Sequence, residues 1–155
     1  MKLPLVIVHP SFPWDNSALI GSQVREEALE LCEAVLVRAA RLISTRRVIP
    51  FVVESEDVKG KEVDYSAYSD SIAGLLRGIR TAAKVHLLGE TVLSPGCAVR
   101  SLVRAPEFQQ VASRGTRVRI AGFWRDRCCK NVCNELYRAG YYPVLERNLS
   151  ENCWT

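Results

Sequence analysis

The side chains best equipped for chemistry in this chain are its cysteines and its two histidines. Three cysteines stand in one short run, Cys128-Cys129-x3-Cys133, directly behind Arg125-Asp126-Arg127. Asp126 is the natural N-cap of a following helix, which puts Cys128 in its first turn. There the free helix N–H groups and the positive end of the dipole stabilise a thiolate, helped by Arg125 and Arg127 and opposed by the charge of Asp126. The chemistry open to such a group is nucleophilic attack on an acyl carbon. A zinc site is not expected, because the run lacks the C-x2-C spacing of zinc knuckles and only two histidines are present. No metal and no other cofactor is expected.

The helix pattern separates the three thiols. Cys129, Val132, Cys133, Leu136 and Tyr137 fall on one apolar face, so Cys129 and Cys133 read as small buried hydrophobes. Cys128 reads as lying off that face. Before the run, Val118, Ile120 and Ala121 form a strand stopped at Gly122, and after it Gly140 ends the helix ahead of a strand over Tyr141 to Leu145.

Ala121-Gly122-Phe123-Trp124-Arg125-Asp126-Arg127-Cys128-Cys129, a helix, and then Ala139-Gly140-Tyr141 resemble the signature of the isochorismatase-like cysteine hydrolases. That family carries an Ala-Gly-Val-x-Thr-Asp-x-Cys-Val segment whose cysteine opens the helix. The resemblance implies Cys128 as nucleophile and Asp126 as the capping aspartate; Arg125 stands at the family's threonine. The family's aspartate at the end of the first strand falls near His9, and its lysine after the third strand falls near Cys97. The likeness in residues is confined to this stretch; elsewhere it lies in the order of elements.

The elements that must position these groups follow in chain order. Leu3 to His9 is a continuous apolar run, as in a strand buried on both faces of a parallel sheet. Pro10 and Pro13 end it, and Ser11 to Asn16, with Trp14 and Asp15, reads as a loop over the carboxyl edge of the sheet, where open α/β sheets bind ligands. His9 is there either a general base or a histidine satisfied by backbone. Ser22 to Arg46 is the longest helix, with Cys32 at the border of its stripe, and Val48 to Val53 is the second strand, ending at Glu54. A charged linker leads to a helix over Tyr68 to Ile79, in which Gly74 and Gly78 suggest close packing against a neighbour. Lys84 to Leu88 is the third strand, with Glu90 just past its end; a loop follows over Ser94 to Cys97, then a short helix from Pro106.

The alternation predicts an α/β fold, a three-layer α/β/α sandwich over 1–155 as a single domain. Its sheet is five-stranded, mostly parallel and Rossmann-like, in the order 3-2-1-4-5, with the switch point between the first and fourth strands. No glycine-rich fingerprint or P-loop calls for a nucleotide.

The chain has 155 residues, 48% of them hydrophobic and 25% charged, the composition of a soluble globular protein. Leu3 to Val8 is too short to span a membrane and lacks a signal-cleavage site, which points to the cytoplasm. The net charge of +4 is scattered, so nucleic acid is not an expected partner. Arginine outnumbers lysine sixteen to five and there is one methionine, a bias that suits a thermophile, with cytosolic disulfides among the six cysteines, or equally a GC-rich coding sequence. Only eight residues follow Arg147, too few for the final helix the hydrolase family usually adds; this leaves one sheet face uncovered and leads to the expectation of a homodimer around Trp154, with a monomer as the alternative.

Two functions compete. In one, the protein hydrolyses a small amide or acyl compound: Cys128 attacks, backbone N–H groups of Arg125 to Arg127 hold the oxyanion, His9 or Glu90 moves protons, and Trp14, Asp15, Phe123, Trp124, Arg125 and Asp126 line the substrate site. In the other, the same fold serves as a non-catalytic binding or assembly module. The unmatched aspartate and lysine favour the module as far as the family's ordinary chemistry is concerned.

Overall fold

A computed structural model describes residues 2–11, 14, 26–55, 69–88 and 96–152. The strands are β1 (Leu3–Val8), β2 (Val48–Ser55), β3 (Lys84–Leu88), β4 (Arg117–Phe123) and β5 (Tyr142–Glu151). The helices are α1 (Glu26–Ser44), α2 (Asp70–Ala82), α3 (Gly96–Arg104), α4 (Pro106–Gln109) and α5 (Lys130–Arg138). The sheet runs β3-β2-β1-β4-β5 with every pairing parallel, which is the expected order.

Strand alternation sorts the core into two layers. Leu5, Ile7, Val52, Ala121 and Phe123 face α1 and α2, where Cys32, Leu36, Ile72 and Leu76 meet them. Val6, Val8, Val53, Val118 and Ile120 face the other way, toward Leu102, Phe108, Val132 and Leu136 of α3, α4 and α5. Central strands therefore read as unbroken apolar runs, because both faces are covered.

Two prolines inside the sheet are tolerated because of register. Pro50 pairs with Leu5 of β1, while β3 joins β2 only from Phe51 onward. Likewise Pro4 precedes the first β1–β4 pair, Leu5 with Arg119. Each missing N–H thus falls where the strand has a neighbour on one side only.

Several boundaries differ from those expected. The loop placed over Ser94 to Cys97 gives way to helix from Gly96. The helix placed over Ser22 to Arg46 is described from Glu26 and ends at Ser44, with Arg46 in a left-handed conformation. Gly74 and Gly78 do not serve close packing among the described residues, since a Cβ on either would meet none of them within 4 Å. Instead Ser69 caps α2, its hydroxyl accepting from the Ile72 N–H.

The last strand is longer than its apolar run, continuing from Leu145 to Glu151. Leu145 pairs with Ile120 and Ser150 with Gly122, so four residues of β5 bulge out opposite Ala121 alone. Within that bulge the Asn148 carbonyl accepts from Arg38 of α1 at 2.6 Å, and Leu149 is buried in the α1 layer. The face expected to lack cover beside β4 and β5 is therefore packed there by α1. Trp154 and Cys153 lie outside the described residues. Among the described residues no helix is long and apolar enough to cross a membrane.

Candidate active site

The candidate site begins where β4 stops. Gly122 has φ +115, and a Cβ there would stand 2.1 Å from the Val8 carbonyl oxygen. Only glycine permits both the conformation and this approach of β4 to β1. Phe123 follows, and then Trp124 turns left-handed at φ 59 and ψ 63. The Trp124 carbonyl accepts from the Arg127 N–H at 3.0 Å and from the Cys129 N–H at 3.1 Å. The second bond spans five residues and closes a π-type turn over Arg125–Cys129, after which α5 resumes ordinary α geometry.

This wide turn corrects the placement of Cys128. The expected helix had Asp126 as N-cap and Cys128 off the apolar face. Instead Asp126 is exposed and caps nothing, and the turn rotates Cys128 inward, to 5% exposure, in the same core cluster as Val8, Val132 and Leu136. Cys129 is fully buried, and its thiol donates to the Phe123 carbonyl at 3.2 Å. Cys133 packs at the edge of that cluster, where burial pushes its thiol up to about 11. Tyr137, assigned to the apolar face, is 69% exposed. None of Cys32, Cys128, Cys129 and Cys133 is in a disulfide.

The backbone N–H groups assigned to an oxyanion are largely engaged. That of Arg127 bonds to Trp124, and that of Asp126 donates to Asn152 Oδ1 at 3.2 Å. Asn152 Nδ2 in turn donates to Asp126 Oδ2 at 2.6 Å. The Arg125 guanidinium also turns to β5: it donates to Ser150 Oγ and to the Arg147 carbonyl, each at 3.2 Å, and to the Ser150 carbonyl, and lies 3.6 Å from the Glu151 carboxylate. Arg125 and Asp126 are thus tied to the last strand of their own chain.

His9 closes β1 at the same edge of the sheet. It is 2% exposed with φ 51, and its N–H donates to the Val53 carbonyl at 2.8 Å. Burial lowers its imidazole to about 4, so the ring is neutral at pH 7. The register setting Val8 opposite Gly122 brings the end of β1 beside the exit of β4. His9 and the Cys128 turn therefore flank the switch point between β1 and β4.

A second polar group stands at the carboxyl edge, where the sequence shows only the end of a strand. Glu54, 1% exposed on β2, accepts from Ser11 Oγ at 3.1 Å and is ion-paired to Arg80 of α2. The available signal was a carboxylate directly after an apolar strand with an arginine in the last turn of the next helix. Both facing groups satisfy this buried charge.

The expected aromatic wall divides between the layers. Trp124 packs against the α3–α5 side together with Cys128. Phe123 is fully buried on the opposite side, with Trp14 edge-on to it at 5.9 Å and 81°. Asp15 and Glu90 lie outside the described residues.

An open cleft of about 460 Å³ lies among Lys2, Ile49, Gln109, Val111 and Thr116. Lys2, Ile49 and Thr116 stand at the amino ends of β1, β2 and β4, the opposite end of the strands from the Cys128 turn, so this cleft is not the cysteine site. Among the described residues no three His, Cys, Asp or Glu side chains gather as a metal site.

No family model and no curated protein matches the sequence. Among solved structures, the fold is similar to that of N-carbamoylsarcosine amidase from Thermoplasma acidophilum, with a TM-score of 0.52 and 16% identity. The match covers 97% of this chain and 84% of that one, and at such identity it is a likeness of fold.

Proposed function

We propose that this protein is a cysteine hydrolase that cleaves a C–N bond of a small amide, with Cys128 as the nucleophile and residues 1–155 forming one isochorismatase-like domain. The observation that carries this reading is the pair of left-handed residues at the switch point, His9 at φ 51 and Trp124 at φ 59. Bulky side chains in that conformation are strained, by about 1–3 kcal/mol each, and such strain gathers where a site needs an exact geometry. A π-type turn bearing a thiol at the end of a central strand is a second feature of the same kind. The likeness in fold to an amidase agrees with it.

In this mechanism the neutral His9 imidazole takes the Cys128 thiol proton as sulfur attacks the acyl carbon. The thiolate and imidazolium stabilise each other as the charges develop. The C–N bond then breaks, and the amine leaves with the proton carried by His9. Water, deprotonated by His9, attacks the thioester, releasing the acid and restoring the thiol. Glu90 is the second candidate for moving protons.

The burial of Cys128 and the engagement of Arg125 and Asp126 with β5 favour one other reading, a non-catalytic binding or assembly module. Release of ammonia or amine from a panel of N-carbamoyl amino acids and primary amides separates the two. Release that is lost in Cys128→Ala is expected. Release unchanged in that variant would remove Cys128 as the nucleophile, and no release from any substrate would leave the module as the reading.

A further inference from the structure

The β5 bulge has a consequence at the cysteine turn. Four residues facing Ala121 alone let the strand regain register at Ser150 opposite Gly122 and Glu151 opposite Phe123. This delivers Ser150, Glu151 and Asn152 to the side of the turn. Ser150 is itself fixed there, its hydroxyl donating to the Glu146 carbonyl across the bulge at 2.8 Å. Arg125 then grips the Ser150 and Arg147 carbonyls, and Asn152 makes a two-way pair with Asp126. The turn carries no side-chain cap of its own, so these contacts supply what a cap otherwise gives.

We propose that Arg125 and Asn152 are positioning residues, a clamp through which β5 holds the π-type turn closed and Cys128 in place. The inference deepens the hydrolase reading and rests on Cys128 as the reacting group. A buried thiol meets a reagent only when its segment opens locally, so the clamp sets the opening equilibrium of the turn.

The test is the rate of iodoacetamide labelling at Cys128, mapped by mass spectrometry across pH 7–9 in the full chain. Cys32, fully buried in the opposite layer, is the internal reference for global unfolding. Asn152→Asp faces one carboxylate with another, and Cys128 labelling is expected to rise by about ten-fold or more relative to Cys32. Adding Asp126→Asn restores a donor–acceptor pair with the roles reversed, and the rate is expected to return to that of the unmodified chain. Should Asn152→Asp fail to fold, Arg125→Lys, which keeps the charge beside Glu151 but loses the fork to the carbonyls, is expected to give the same rise. An unchanged Cys128 rate, a rise shared equally by Cys32, or a rise that the double variant does not reverse overturns the clamp. Labelling needs no turnover, so a clamp that passes while amide hydrolysis is absent would count against the hydrolase reading alone.

Discussion

Val8 and Gly122 stand opposite each other at the carboxyl edge of adjacent strands, so close that a Cβ on Gly122 would lie 2.1 Å from the Val8 carbonyl oxygen and 2.6 Å from its nitrogen. Both obstructing atoms are backbone, held by pairings on either side of β1, so nothing flexible can move aside. The conformation at φ +115 adds its own penalty to any side chain. Gly122→Ala is therefore expected to destabilise the fold by at least about 3 kcal/mol, read as a lowered urea midpoint or as loss of soluble protein. A variant with an unchanged midpoint would mean that β1 and β4 do not approach as described, and the proximity of His9 to the cysteine turn would fall with it.

The same region separates what the sequence states from what it conceals. The order of elements was legible because each apolar run is bounded by its own turn residues, with Gly122 near the end of β4 and Gly140 just past α5, both at positive φ. The cysteine turn was legible in its place along the chain but not in its geometry. Nothing about a tryptophan announces a left-handed conformation, and Asp126 is by type an N-cap. The turn is decided instead by partners more than twenty residues away, Arg125 on Ser150 and Asp126 on Asn152. Those partners reach it only because β5 bulges, and a bulge alters no apolar period that a sequence displays. Glu54 was hidden for a similar reason: its burial depends on Ser11 and Arg80, neither of which adjoins it in sequence.

Gly74 and Gly78 invite the opposite experiment. Both lie on the exposed side of α2, and a Cβ on either meets none of the described residues within 4 Å. With ordinary helical backbone and open space, alanine loses nothing in the folded state and restricts the unfolded one. Gly74→Ala and Gly78→Ala are each expected to stabilise by roughly 0.5–1 kcal/mol, and to add in the double variant. Differential scanning calorimetry would read this as a raised Tm. A fall in either single variant would mean that a partner covers this face of α2.

His9 makes the cysteine edge sensitive to acid. Burial lowers its imidazole from 6.5 to about 4, so between those values the unfolded chain binds a proton that the folded chain refuses. Stability from this group is therefore complete above about pH 6.5 and is lost as the pH falls toward 4. Asparagine is the suitable replacement, since it accepts the left-handed backbone at position 9 and carries no charge over this range. Between pH 7 and pH 4.5, the unmodified chain is expected to lose about 2–3 kcal/mol more unfolding free energy than His9→Asn does. Urea titrations at a series of pH values give both slopes, and the comparison removes the carboxylates that titrate alike in the two proteins. Parallel slopes would mean that His9 is hydrated or charged in the folded state. The neutral imidazole that the proposed hydrolysis uses to accept the Cys128 proton would then be missing.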